Sequence, residues 1–85
     1  MALTDNAVSE LRMEFPALRQ EASGRPLVFM DGPGGTQVHG SVIEAMGRYL
    51  TEANSNAGGA FLFSQRTDET IALARSALAD LLNAS

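Results

Sequence analysis

Hydrophobic positions along the 85-residue chain recur at helical spacing in three places and run without interruption in a fourth. Val8, Leu11 and Phe15 stand at i, i+3 and i+7, one apolar stripe of an N-terminal helix that Asn6 can cap. Pro16 disfavours helical geometry at Phe15, so the helix is expected to end there. Arg19 to Arg25 is polar, with a turn at Ser23-Gly24. Leu27-Val28-Phe29-Met30 is apolar on both faces, introduced by Pro26 and stopped by Asp31-Gly32-Pro33-Gly34-Gly35. That pattern predicts a buried strand over 27–31, followed by a glycine-rich loop over 32–37.

Ser41 and Glu44 have the spacing of a capping box, and they open a predicted helix over 41–53. Its broad apolar face carries Val42, Ile43, Met46, Tyr49, Leu50 and Ala53. A loop over 54–64 follows, in which Ala60 to Ser64 offers a second, short and ambiguous strand. The last helix is predicted over 67–82. Asp68 and Glu69 favour its N-terminal dipole, and Ile71, Ala74, Leu78, Leu81 and Leu82 make its stripe. One strand buried on both faces needs neighbours on both sides, and the pattern supplies none of sufficient length. Residues 1–85 therefore read as a single partial domain of a larger α/β protein: mostly three helices with one short strand and glycine-rich loops. A complete three-helix domain with a strand-like connector is the other arrangement the pattern allows.

Composition narrows the chemistry. With 45% hydrophobic and 19% charged residues the chain is globular in character. All six Lys+Arg residues are arginines, at positions 12, 19, 25, 48, 66 and 75, and there is no lysine, cysteine or tryptophan. A lysine Schiff base, a cysteine nucleophile, a disulfide and a thiolate metal site are excluded for this chain by itself. The net charge of -4, with arginines scattered among ten acids, argues against nucleic acid as a partner. The longest uncharged run, Ala53 to Gln65, is broken by Asn, Ser and Gly, so no membrane role is expected. Met1 to Asn6 lacks the basic and apolar regions of a secretory signal, and absence of cysteine is compatible with a cytoplasmic protein.

Asp31-Gly32-Pro33-Gly34-Gly35-Thr36 lies between strand and helix, where glycines let backbone N–H groups approach an anion. It is no dinucleotide fingerprint, because Gln37 stands where the third glycine belongs, and no lysine makes it a phosphate-binding P-loop. A plain turn using positive φ at glycine is the simpler local reading. Asn54-Ser55-Asn56-Ala57-Gly58-Gly59 offers amides that donate and accept, and equally reads as a helix C-cap. His39 has no acid or cysteine near it in sequence, so it makes neither a zinc site nor a triad and reads as a polar residue at the helix start. Arg66 can bind a carboxylate or stand in solvent.

Taken in order, these segments resemble a known family. Phe15-Pro16-Ala17-Leu18, Val28-Phe29-Met30-Asp31-Gly32-Pro33-Gly34-Gly35-Thr36-Gln37, Val42-Ile43-Glu44-Ala45-Met46, Asn54-Ser55-Asn56, Ser64-Gln65-Arg66 and Ala74-Arg75 look like the start of class V aminotransferases. The cysteine desulfurase-like branch, with an Asp-Gly-Pro-Gly-Gly-Thr-Gln loop, is the nearest match. The resemblance implies the N-terminal fragment of a fold type I transferase that uses pyridoxal phosphate on amino-acid substrates and is a homodimer when complete. It places Gly34, Gly35 and Thr36 near the substrate carboxylate, and Asn56 with Gly58-Gly59 along the site. It assigns no catalytic residue to this chain, because the cofactor's lysine, its aspartate and its phosphate loop come later in such enzymes. The chain is therefore expected to be inactive alone. Desulfurases of the group carry a histidine and an arginine where Gly58 and Gly59 stand here, a departure that favours a divergent member. The reading from a different class is a non-enzymatic helical module whose apolar stripes bind a partner.

Overall fold

The computed structural model describes residues 2–85. Its elements are α1 (Asp5–Met13), a 3-10 turn (Pro16–Arg19), β1 (Glu21–Ala22), β2 (Arg25–Pro26), a second 3-10 turn (Gly32–Gly34), α2 (Gly40–Glu52) and α3 (Leu62–Leu82). The chain divides into two compact units, one reaching to Ala45 and the other running Met46–Ser85. The second is mostly helical, whereas the first combines α1, the two 3-10 turns and the start of α2 with a two-stranded antiparallel sheet.

In the first unit, α1 begins earlier than the sequence pattern suggests. Thr4 is its N-cap, the side-chain oxygen accepting the Ala7 N–H at 3.1 Å, so Asn6 lies inside the helix. The helix ends at Met13, just ahead of Pro16, and Arg19 reaches back to donate from Nε to the Met13 carbonyl at 3.0 Å. A cation at a helix C-terminus is favoured by the exposed carbonyls there. The Ser23-Gly24 turn forms as expected. Both residues have positive φ (54° and 75°), the geometry of a two-residue hairpin loop, and it pairs Ala22 with Arg25 and Glu21 with Pro26.

The buried strand over 27–31 does not form. The Leu27 N–H donates to the Gln20 carbonyl at 3.1 Å, continuing the hairpin by one rung, and the ladder stops there. Val28 is 78% exposed and Met30 90% exposed. The physical reason is the one that made the strand awkward in the sequence: a ladder needs a partner, and the described residues offer none beyond the short hairpin.

The Ser41–Glu44 capping box is also replaced. Helix α2 starts at Gly40, which places Ser41 inside the first turn rather than at the cap. His39 takes the capping role. Its carbonyl accepts from Val42 and Ile43, and its Nδ1 faces the Ser41 N–H at 3.0 Å and the Ser41 hydroxyl at 2.8 Å. Because Nδ1 accepts from the Ser41 N–H, the proton of a neutral ring sits on Nε2, which meets Glu14 Oε2 at 3.3 Å. Phe15 packs edge-on against the same imidazole, with ring centroids 5.3 Å apart, and the Gly40 N–H donates to the Glu14 carbonyl at 2.8 Å. The acid partner that His39 lacks in sequence is thus supplied from the end of α1.

In the second unit, α3 begins at Leu62 rather than near Thr67, and Ala60–Ser64 is loop and helix start rather than strand. The loop over 54–64 is correspondingly shorter. Asn83 closes α3 in the left-handed conformation (φ 52°), and the Ala84 N–H reaches the Ala79 carbonyl at 2.8 Å. Ala53 is the one buried hydrophobic residue among the described residues, joined by the polar Ser64 and Thr67. Leu73, Leu78, Leu81 and Leu82 of α3 are all exposed. No helix among the described residues is long and apolar enough to cross a membrane.

Candidate functional site

Two loops carry the residues singled out for ligand binding, one in each unit. In the first, Asp31 leads into the 3-10 turn Gly32–Gly34. The Gly34 N–H donates to the Asp31 carbonyl at 2.7 Å, and the Gly35 N–H to the Gly32 carbonyl at 3.0 Å. These two donors are therefore spent on the turn itself and do not point at an anion. Gly35 has φ 132°, a conformation side chains rarely adopt, so the simpler turn reading accounts for a glycine there.

What the loop builds instead is the wall of an apolar cleft of about 210 Å³. Phe15, Leu18 and Phe29 line it together with Asp31, Gly35, Thr36 and Gln37. The proline-started turn Pro16–Arg19 places Leu18 beside Phe15, and the unpaired stretch after β2 brings Phe29 to them. Of the expected substrate residues, Gly35 and Thr36 line this cleft, whereas Gly34 sits in the adjoining turn.

The second loop, between α2 and α3, is held by the first turns of α3. Five consecutive side chains each take part. Ser64 Oγ donates to the Asn56 carbonyl at 2.6 Å and accepts the Gly59 N–H at 2.7 Å. Gln65 Nε2 donates to the Ala60 carbonyl at 3.1 Å, and Arg66 Nη1 to the Glu52 carbonyl at 2.8 Å. Thr67 Oγ1 donates to the Ala53 carbonyl at 2.6 Å, and Asp68 Oδ1 accepts the Gly58 N–H at 3.0 Å. Tyr49, from α2, sets its hydroxyl 3.3 Å from the Ser55 carbonyl and 3.2 Å from Thr67 Oγ1. The carbonyls of Glu52, the last residue of α2, and of Ala53 and Ser55 just beyond it thereby gain partners.

Asn56 enters these bonds through its main-chain carbonyl, and the residue is exposed. Arg66, read as a carboxylate binder or a solvated cation, caps α2 and lies over the Phe63 ring at 5.5 Å from its centroid. Sequence reasoning missed Ser64 and Thr67 as a pair. The available signal was their spacing: i and i+3 put two hydroxyls on one helix face, just after a glycine-rich loop full of main-chain acceptors. Among the described residues no group of three His, Cys, Asp or Glu is arranged to hold a metal ion.

No family model matches the chain. Individual relatives do. A protein of Vibrio cholerae named probable cysteine desulfurase is 38% identical over 61 residues, 69% of this chain and 15% of the relative. One of Synechocystis with the same name is 33% identical over 75 residues, 87% of this chain and 18% of its own. A cysteine desulfurase of Synechococcus elongatus is 32% identical over 79 residues, 92% of this chain and 13% of its own. The chain thus spans less than a fifth of the length of these relatives.

Proposed function

We propose that this cysteine desulfurase-like chain is the substrate-side segment of a pyridoxal-phosphate enzyme of the class V aminotransferase type, acting on a small amino acid such as cysteine, in a complete protein that is a fold type I homodimer. The observation that carries the reading is similarity to cysteine desulfurases along as much as 92% of the chain. The local geometry supports it. In the first unit Thr36 is exposed beside a turn closed by its own hydrogen bonds, and in the second Asn56 is exposed on a loop pinned through its main-chain carbonyl; each loop by itself is suited to orienting a polar group. In this reading Gly34, Gly35 and Thr36 lie near the substrate carboxylate and Asn56 lines the site.

The residues present do not fit the cofactor's covalent anchor. The chain has no lysine, and the N–H groups of Gly34 and Gly35 are turned to their own loop. No step through the cofactor is assigned to this chain. Pyridoxal phosphate added to the chain, with its α-amino group blocked, is expected to give no side-chain adduct in the absorption spectrum. A stoichiometric adduct would overturn this part of the reading.

The decisive test is a segment exchange. The matched segment of the Vibrio cholerae relative is replaced by the corresponding residues of this chain, and sulfide release from L-cysteine is measured. A soluble chimera is expected that takes up pyridoxal phosphate and keeps kcat/KM within about a hundredfold of the parent, the order of loss for a misplacement near 1 Å. A chimera that is insoluble, or folded and without turnover, counts against the proposal.

A further inference from the structure

Ser64 is completely buried, and its hydroxyl holds both ends of the Asn56–Gly59 turn at once. One proton goes to the Asn56 carbonyl at 2.6 Å, and a lone pair accepts the Gly59 N–H at 2.7 Å. Three residues along the same face, Thr67 is bonded to the Ala53 carbonyl and lies 3.3 Å from that of Ser55. The main chain is therefore pinned immediately before Asn56, at Asn56, and again at Gly59. Asn56 itself is exposed, and the bonds that fix its main chain come from the side chains of other residues.

We propose that Ser64 is a positioning residue for Asn56: it fixes where the Asn56 amide stands and through it the affinity for the amino-acid substrate, without touching that substrate. The assignment rests on the reading of Asn56 as a substrate residue. Serine suits the place. Alanine at this completely buried position removes donor and acceptor together.

The test uses an active chimera of the kind just described, with steady-state KM and kcat for L-cysteine. Asn56→Ala is expected to raise KM about tenfold, the effect of one lost hydrogen bond to a charged group. Ser64→Ala is expected to raise KM by a similar factor with kcat nearly unchanged, and to add nothing further in the Asn56→Ala background, since residues acting as one unit are not additive. Ser64→Cys, a weak donor and acceptor, is expected to fall between wild type and Ser64→Ala. Should Ser64→Ala fail to fold, the same comparison is read from Ser64→Cys, and an unchanged KM there overturns the proposal. A KM unmoved by Asn56→Ala overturns the substrate role of Asn56. A KM moved by Asn56→Ala but not by Ser64→Ala, or moved additively by the two, overturns the assignment of Ser64 alone.

Discussion

Heated in isolation, the 85-residue chain is expected to lose its helical signal gradually over tens of degrees, and to bind a hydrophobic dye before heating begins. Cooperative unfolding needs a shared core whose contacts are lost together, and a stable domain retains roughly 0.05–0.15 kcal/mol per residue after large opposing terms cancel. Here the core term is nearly missing: Ala53 is the buried hydrophobic among the described residues, while Val28, Met30, Met46, Leu50 and the leucines of α3 face solvent. Helices without tertiary burial are marginal in water at lengths of about 12–15 residues, so α1 and α2 have little to hold them and α3 is the most persistent. Circular dichroism during heating, with dye fluorescence and sedimentation on the same sample, checks the expectation. A sharp sigmoidal transition in a monomer would refute it, and would favour the self-sufficient interaction module over a segment of a larger enzyme.

The loop between α2 and α3 is expected to reject the side chains that the resemblance places there. Gly58 has φ 84°, and a residue with a Cβ pays about 1–2 kcal/mol in such a conformation. At Gly59 the obstacle is space. A Cβ would lie 2.7 Å from Phe61 Cε1 and 3.0 Å from Ser64 Oγ. The Phe61 ring can swing away, but the buried Ser64 hydroxyl cannot move without releasing the Gly59 N–H and the Asn56 carbonyl. Gly59→Ala is therefore expected to destabilise by about 1–3 kcal/mol, the range for overpacking a filled site. Gly59→Arg should be at least as costly. Urea unfolding of the chimera provides the cooperative transition needed to measure both, with exposed Ala60→Ser as the neutral comparison. A Gly59→Ala midpoint equal to wild type would show that the loop relaxes freely and that Ser64 does not pin it.

The helices were legible in the sequence because their stripes are local. The apolar spacing and Pro16 placed α1 and its end, and Ser23-Gly24 marked the hairpin turn. The errors lie where distant residues decide. Thr4 outcompetes Asn6 as a cap by bonding the Ala7 N–H, and His39 displaces Ser41 because Glu14, far away in sequence, orients its ring. Phe61-Leu62-Phe63 carries no period of its own, and its place at the start of α3 follows from the bonds Ser64 to Asp68 make with the preceding loop. Of the site, glycine at position 35 was readable as a positive-φ turn. The spending of two glycine N–H groups on that turn was not, because sequence shows donors but not where they point.

The unpaired stretch after β2 has a consequence for handling the protein. Val28, Phe29 and Met30 present apolar side chains beside main-chain groups that have no ladder, the combination through which separate molecules stack into intermolecular sheets. The residues that bound the stretch work against this. Pro26 cannot donate to a growing sheet, Asp31 brings charge to its edge, and Pro33 blocks extension beyond it. They act as gatekeepers: the four apolar residues from 27 to 30 make a short stretch flanked on both sides by residues that oppose fibril growth.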